Sequence, residues 1–496
     1  MTRPKGDGID KARTPGLIIA APASACGKTL LTLGLLRHLT GRGIATSSFK
    51  VGPDYIDAAF HSAASGRECI NLDGWAMRPA TLARLAVQLA RDSALIVGEG
   101  VMGLFDGAPG PAAGRDGEGA PDGSTADLAA RTGWPVILVI DVKGQGASAA
   151  AVLQGFAGFR QGVTIAGVVF NRVASERHRK LLTESCEAAA AGVRVLGSLP
   201  HDEALALPSR HLGLVQAREN AGLDAFLDHA AKTIARHIDV EALNDLARPA
   251  RIAALAEDAP VPLLPPLGQR IAIARDIAFA FAYPAVIDGW RTAGAEVRPF
   301  SPLADEGPGE DADAVYLPGG YPELHAPRLA ANGRFMAGLR RAAARGAAIY
   351  GECGGYMVLG AGIEDADGGR HEMAGLLALE TSFALGKLHL GYRDVRLLGG
   401  GGPLGAKDAR FRGHEFHYAS VISEGPGESL FAATDATGRP LGETGLRAGT
   451  VMGSFIHLID RGLNGPAGHS PSAIDRRGQG GLKSGQKTGR SPVKDR

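Results

Sequence analysis

The stretch LIIAAPASACGKTLLTLGLL, Leu17 to Leu36, constrains the fold more than any other. It permits two incompatible readings. Basic residues (Arg3, Lys5, Lys11, Arg13), an apolar run and small residues before Cys26 imitate an export signal. However, only LIIAA precedes Pro22, and a signal needs an apolar segment of ~7–15 residues. The alternative is a buried strand (Leu17–Ala20), a tight loop (Pro22–Lys28) and a helix (Thr29–Leu39) carrying leucines on its apolar face. Strand, loop and helix in that order present backbone N–H groups and a helix dipole to a phosphate. Lys28 adds a charge and Thr29 a hydroxyl able to reach Mg2+; Ser24 and Gly27 complete the loop set. The match to GxxxxGK[ST] is partial, because Pro22 stands where the first glycine falls.

At 496 residues the chain is long enough for several domains. Its 53 Lys+Arg nearly cancel its 52 Asp+Glu, so bulk charge gives no reason to expect nucleic acid or an anionic membrane as partner. The four cysteines lack CxxC spacing, which argues against zinc and disulfides and for a reducing, cytoplasmic setting. Every apolar run is cut short of a membrane span, so a soluble protein is expected.

Strand-like runs at 94–97, 136–140, 165–170 and 193–196 alternate with helix-length segments such as Pro79–Arg91, predicting a mainly parallel sheet covered on both faces. After His237 the composition changes, and VPLLPPLGQR (Val261–Arg270) reads as a connector. A second alternating pattern follows: strands at 271–274, 314–317 and 347–350, with helices near Tyr283–Ala293 and from Gly354. The expected organisation is a first α/β domain at 14–237, a linker region at 238–268, a second α/β domain at 269–465 and a disordered basic tail at 466–496.

FKVGPDYIDAAFH puts Lys50 at a strand end and Asp54 and Asp57 three residues apart; both carboxylates face the crevice of a parallel sheet, or they belong to a capped, solvated helix start. Glu99 directly follows an apolar strand, where a Mg2+ ligand is expected; Asp106 fits a turn. Asn171, at the end of VVFN, offers an amide to a nucleotide base or caps the next helix.

In AAIYGECGGYMVLG, Cys353 stands at a strand-to-helix corner before Gly354–Gly355, a nucleophile's setting in which the helix N-terminus is expected to lower the thiol pKa. Gly319–Gly320, after another strand, could supply oxyanion N–H groups, with Gly320 and Gly354 the expected donors; His457 in GSFIHL is the expected base. A buried structural cysteine explains Cys353 alone, but not the three elements together. In RGHEFHYA, His414 and His417 are three apart rather than the four of HExxH, which argues against a zinc helix.

APASACGKT, KVGPDYID, NLDGW, EGVMGLFDG, NRV, LPGGYPEL, YGECGGYMVLG, GHEFHYA and GSFIH, in this order over about 17–460, resemble the cobyrinic acid a,c-diamide synthase family, including its hydrogenobyrinic acid branch. The resemblance implies an N-terminal P-loop amidoligase domain of the dethiobiotin-synthetase type and a C-terminal class I glutamine amidotransferase-like domain. It further implies ATP with Mg2+, glutamine and a corrinoid as reaction partners, no nucleic acid or membrane, and leaves a homodimer open. The implied reaction is amidation of the a and c carboxylates of cobyrinic or hydrogenobyrinic acid; cobyric acid synthase-like amidation and a ParA-like ATPase module are the alternatives. Implied roles fall on Lys28, Thr29, Asp54, Asp57, Glu99, Cys353 and His457. Two departures stand out. Ala25 occupies a position where the family commonly has glycine, and Ile459 the position where class I amidotransferases place a glutamate, leaving the third triad member unassigned.

Overall fold

In the computed structural model, residues 14–109, 121–206, 209–210, 213–252 and 261–462 are described. The first sheet contains β1 (Pro15–Ala20), β2 (Thr46–Val51), β3 (Ile70–Leu72), β4 (Leu95–Glu99), β5 (Val136–Asp141), β6 (Ile165–Val173) and β7 (Arg194–Pro200), in the order 3-2-4-1-5-6-7 and parallel throughout. Along β1, Ile18 and Ala20 enter one hydrophobic cluster while Leu17 and Ile19 enter another, so both faces are buried. That explains the continuous apolar run. Helices α1 (Lys28–Gly41), α2 (Tyr55–Ser65), α3 (Pro79–Ala90), α4 (Thr125–Thr132), α5 (Ser148–Phe159), α6 (Glu176–Ala189) and α7 (Leu223–His237) connect and cover the strands.

The first domain does not stop at His237. Helix α8 (Val240–Leu246) packs on β6 and β7 with Ala242 and Leu243 buried. Two short strands, β8 (Ser209–Arg210) and β9 (Gly213–Leu214), pair with each other, whereas β10 (Arg248–Pro249) pairs antiparallel with β1. The expected linker therefore begins later than 238, because its first dozen residues complete the first sheet's packing. The Pro-rich connector is also anchored: Leu263, Leu264 and Leu267 are buried, and the Leu263 carbonyl accepts from Arg461 N at 3.0 Å. The expected tail at 466–496 lies outside the described residues.

The second half starts with a parallel set, β11 (Arg270–Ala274), β12 (Glu296–Phe300), β13 (Ala314–Leu317) and β14 (Ala348–Glu352), with helices α9 (Pro284–Thr292), α10 (Ala326–Ala331), α11 (Gly333–Ala344) and α12 (Gly354–Leu359). The sheet then continues through strands the sequence reading did not resolve. These are β18 (His389–Leu397), β19 (Arg410–His417), β21 (Glu428–Asp435), β22 (Pro440–Ala448), β23 (Val451–Ser454) and β24 (Ile456–Arg461), while β15 (Gly362–Glu364), β16 (Arg370–Glu372), β17 (Leu379–Ser382) and β20 (Ser420–Glu424) form a separate four-stranded sheet. The ten-stranded order is 12-11-13-14-23-22-21-18-19-24, antiparallel beyond β23. Only Phe455 separates β23, paired with β14, from β24, paired with β19. This one-residue switch carries His457 back toward the end of β14.

The halves meet through polar and aromatic contacts. Arg78 Nη2 lies 2.8 Å from Asp460 Oδ1, and Tyr392 OH donates to Asp73 Oδ2 at 2.9 Å. Trp75 stacks on Tyr392 at 4.5 Å and its carbonyl accepts from Arg412 Nη1 at 2.6 Å. The NLDGW motif is thus a docking strip for β18 and β19.

Candidate active sites in the two halves

The loop between β1 and α1 is shaped by two residues in the left-handed region, Ala25 (φ 61°) and Gly27 (φ 101°). A Cβ on Gly27 would lie 2.3 Å from Asn171 Nδ2, so glycine is required by the close approach as well. Asn171 Nδ2 donates to the Cys26 carbonyl at 2.9 Å. The amide therefore braces the loop, and neither sequence-stretch expectation, base pairing or helix capping, describes that bond. Ser24 is exposed at the loop's crest.

Thr29 and Glu99, assigned together to Mg2+, do come together: Thr29 Oγ1 donates to Glu99 Oε1 at 2.7 Å. Lys50 Nζ reaches Asp57 Oδ2 at 2.6 Å and Glu99 Oε1 at 2.9 Å, and His61 Nε2 contacts Glu99 Oε2 at 2.7 Å. His61, invisible to the sequence reading, completes this network. Burial opposes ionisation of Glu99, but Lys50 and His61 overcome it and hold the carboxyl well below its usual range. Burial likewise opposes the His61 charge, which Cys69 and Glu99 nevertheless keep up to about 10. Burial and Asp54 push Asp57 up to about 7 against the pull of Lys50.

Asp54 plays a different part from Asp57. Its Oδ1 accepts from Ile56 N at 2.8 Å and Asp57 N at 3.0 Å, capping α2, so the helix-start alternative describes Asp54 while Asp57 faces the crevice. The two carboxylates do not share a helix face, because Asp54 precedes the helix in extended conformation. Asp106 is a turn residue accepting from Gly103 N at 2.9 Å. Lys28 Nζ holds the Met102 and Ala23 carbonyls at 2.6 and 3.1 Å, and burial followed by Lys50 lowers its pKa. A cleft of about 660 Å³ opens from Gly27, Lys28, Thr29 and Asp57 to Pro200–Ala206 and Phe226. That far wall, after β7, was not recognised in the sequence.

In the second half Cys353 sits at φ 48°, ψ −108°, a backbone conformation costing roughly 1–3 kcal/mol for a non-glycine residue. Its N–H is tied to the Ser454 carbonyl at 2.8 Å. Close packing explains the neighbouring glycines. A Cβ on Gly355 would lie 1.9 Å from the Leu317 carbonyl oxygen, and one on Gly354 would lie 3.1 Å from Gly320 N, so the two expected oxyanion residues are adjacent. A Cβ on Gly319 would come within 2.3 Å of His457 Cε1 and 3.2 Å of Cys353 Cβ. Gly319 is the floor shared by both groups.

The thiol differs from expectation. Burial, reinforced by Glu323, pushes the Cys353 pKa well up, while the Gly354 N–H offers only a partial offset. The six-residue α12 does not outweigh complete desolvation. Burial followed by His414 and His417 also drives His457 down to about 3, so the resting pair is a neutral thiol and a neutral imidazole. Glu352, next to Cys353, is pushed up to about 7 by burial despite bonds from Tyr316 OH (2.6 Å) and Leu458 N (3.0 Å).

His414 and His417 do not form the rejected zinc site. His389, Glu415 and His417 do bring three ligand atoms within 4.8 Å of one another. Yet Arg393 Nε lies 2.7 Å from Glu415 Oε2, and both His417 ring nitrogens already face oxygen acceptors, Ala419 O at 3.1 Å and Glu415 Oε1 at 3.0 Å.

The two sites touch through Tyr55. It follows the capping Asp54, stacks on Tyr283 (4.4 Å) and Phe281 (5.2 Å), and places its ring 5.2 Å from that of His457. Phe281 in turn pairs with Gly319. No helix among the described residues is long and apolar enough to cross a membrane.

Residues 17–215 match the CobQ/CobB/MinD/ParA nucleotide binding domain, and residues 270–463 the CobB/CobQ-like glutamine amidotransferase domain. The hydrogenobyrinate a,c-diamide synthase of Brucella anthropi is 55% identical over 447 residues, covering 90% of this chain and 98% of the relative. Those of Rhizobium meliloti and Rhodobacter capsulatus are 52% and 53% identical, each over 90% of this chain and 99% and 98% of their own. With a P-loop sheet, a cysteine elbow and near full-length likeness in one polypeptide, the chain belongs to the a,c-diamide synthase family of glutamine-dependent corrinoid amidating enzymes.

Proposed function

We propose that this enzyme converts hydrogenobyrinic acid to its a,c-diamide in the cytoplasm, using ATP for activation and glutamine for nitrogen. The observation that carries the reading is the Tyr55 contact: on α2, two residues before the Asp57 that pairs with Lys50, Tyr55 sets its ring against His457 within one body. The names of the relatives favour the metal-free macrocycle over the cobalt-containing one.

In the second half, the Cys353 thiol gives its proton to His457 as sulfur attacks the glutamine side-chain carbonyl, with Gly320 and Gly354 N–H groups beside the developing oxyanion. The carbon–nitrogen bond breaks, the leaving nitrogen takes the proton from His457, and ammonia departs. Water then opens the thioester: His457 accepts its proton and returns it to sulfur, and glutamate is released.

In the first half, Lys28 swings from its carbonyls to the ATP phosphates, and Asp57 with Lys50 orients the attacking corrinoid carboxylate. The γ-phosphoryl group passes to that carboxylate, giving ADP and an acyl phosphate; ammonia attacks the acyl carbon and phosphate leaves. Thr29 Oγ1 and the Glu99 carboxylate are oxygen donors 2.7 Å apart, a set that suits Mg2+. When bound with ATP, Mg2+ offsets the phosphate charge. Two rounds produce the diamide.

The test offers cobyrinic and hydrogenobyrinic acids separately, with ATP and amide-labelled glutamine, and reads the products by mass. Two labelled amides on the metal-free acid are expected. Diamide from cobyrinic acid alone would reverse the substrate assignment, and amidation at other carboxylates would return the cobyric acid synthase reading.

A further inference from the structure

We propose that Glu352 is the acid that positions His457, replacing the glutamate absent at Ile459. This rests on the Cys353–His457 reading above, but the reading does not require it. His457 Nδ1 is buried without a hydrogen-bond partner, and Glu352 Oε2 lies 3.8 Å away, with both side chains 1% exposed. A small rotation of either group closes that gap to a hydrogen bond. Position in the chain strengthens the case. Glu352 is covalently next to Cys353, and its Oε1 accepts the N–H of Leu458, the residue after His457. One carboxyl thus gauges the spacing of nucleophile and base. Tyr316 OH fixes the other oxygen at 2.6 Å, on the same Oε2 that faces the imidazole.

Positioning from this side suits a buried site. When the thiol proton arrives on His457, an imidazolium forms among groups that oppose it, namely His414 and His417 of β19, with the Tyr55 ring alongside and Glu415 the favourable charge. A carboxylate on Nδ1 stabilises this ion and fixes the tautomer with Nε2 free for sulfur. Glu352 itself faces Tyr316 and Tyr350, whose hydroxyls burial keeps protonated, and Leu458 N.

Glu352→Gln keeps the volume and one acceptor for Leu458 N. Glutamine-dependent amidation should fall at least ~10-fold in kcat, because an orienting acid acts on the transition state. KM for glutamine and ammonia-supported amidation should remain. The wild-type glutaminase rate should climb as Glu352 ionises near pH 7, a limb absent from the variant, whereas His414 and Glu415 titrate lower, at about 4 and about 2; His417→Gln should keep that limb. If Glu352→Gln fails to fold, Tyr316→Phe loosens the carboxyl while keeping the ring, and should lower only the glutamine-dependent rate. An unchanged kcat and pH profile, or equal losses with glutamine and ammonia, would overturn the proposal. If Cys353→Ala retains glutamine-dependent synthesis, the amidotransferase reading fails first, and separately.

Discussion

The two catalytic regions solve burial in opposite ways. Around Glu99 the first half keeps charges buried by pairing them, Lys50 with Asp57 and Glu99, and His61 with Glu99. Around Cys353 the second half buries three titratable groups and opposes their charges, with thiol and carboxyl pushed up and imidazole pushed down. The contrast follows the reactants. Phosphate and carboxylate arrive charged and need fixed charges of both signs, whereas the glutamine side-chain amide is neutral and reacts through one proton passed between neutral groups. A paired network is thus held ready, while the neutral site develops charge only during turnover.

Silencing each region in turn should give the largest effects. Cys353→Ala should lower glutamine-dependent amidation by at least ~1,000-fold, as loss of a nucleophile does, while ammonia at alkaline pH restores diamide formation. Lys28→Ala should remove amidation with either nitrogen source and leave part of the glutaminase. Assays of diamide and glutamate in both variants decide the matter: failure of ammonia to rescue a folded Cys353→Ala protein would mean that the sites are not separable.

The next effect lies where the regions touch. Removing the Tyr55 ring leaves Asp54 and Asp57 in place but opens the wall beside His457. Tyr55→Ala should raise glutamate released per amide formed by ~10-fold, since water and ammonia then exchange with solvent. Tyr55→Phe keeps the ring and should remain near wild type. An unaltered ratio in the alanine variant would make Tyr55 a packing residue only.

How much of this was legible in the sequence depended on distance along the chain. Gly27, Lys28 and Thr29 were readable because strand, loop and helix are contiguous, and Cys353 because Gly354 and Gly355 announce the corner. Asp54 and Asp57 were found but not told apart, as capping depends on where α2 begins. His61, Tyr55 and Glu352 escaped because their partners, Glu99, His457 and Leu458, lie 38 or more residues away. The antiparallel extension was missed for a similar reason: the one-residue switch at Phe455 makes sense only when β14 and β19 are both in place. The expected low thiol pKa failed on magnitude, as burial exceeded the effect of a short helix.

Glu352 and His457 also predict a compensation in pH-dependent stability. Glu352 moves from its ordinary 4.5 to about 7 in the fold, and His457 from 6.5 to about 3. Between pH 4.5 and 6.5 the folded state therefore carries one more proton on Glu352 and one fewer on His457 than the unfolded chain, and the pair contributes no slope. In Glu352→Gln only the histidine effect remains. The unfolded chain then binds more protons, and stability should fall by ~1.4 kcal/mol for each unit of pH lowered below the ordinary histidine value. Urea unfolding of both proteins at the two ends of that window measures this. Equal pH differences in wild type and variant would mean that the two groups are not neutral together.

The smallest effect tests strain, which the two regions also distribute differently. At the corner after β14 the positive-φ residue is the buried Cys353, where relief by glycine would remove the nucleophile. On the loop between β1 and α1 it is Ala25, exposed at φ 61°, with no chemistry of its own. A left-handed alanine costs roughly 1–2 kcal/mol, and glycine returns about 0.4–1 kcal/mol of that through the greater entropy of the unfolded chain. Ala25→Gly should therefore stabilise the protein by only about 0.5 kcal/mol, raising Tm by about 1 °C. Glutamine hydrolysis at Cys353 should be unchanged, and KM for ATP should shift less than ~3-fold, since Gly27 and the Asn171 bond still define the loop. A fall in Tm would show that the Ala25 methyl contributes contacts worth more than its strain, and a large change in KM would show that the loop, rather than the Lys50–Glu99 network, sets nucleotide affinity.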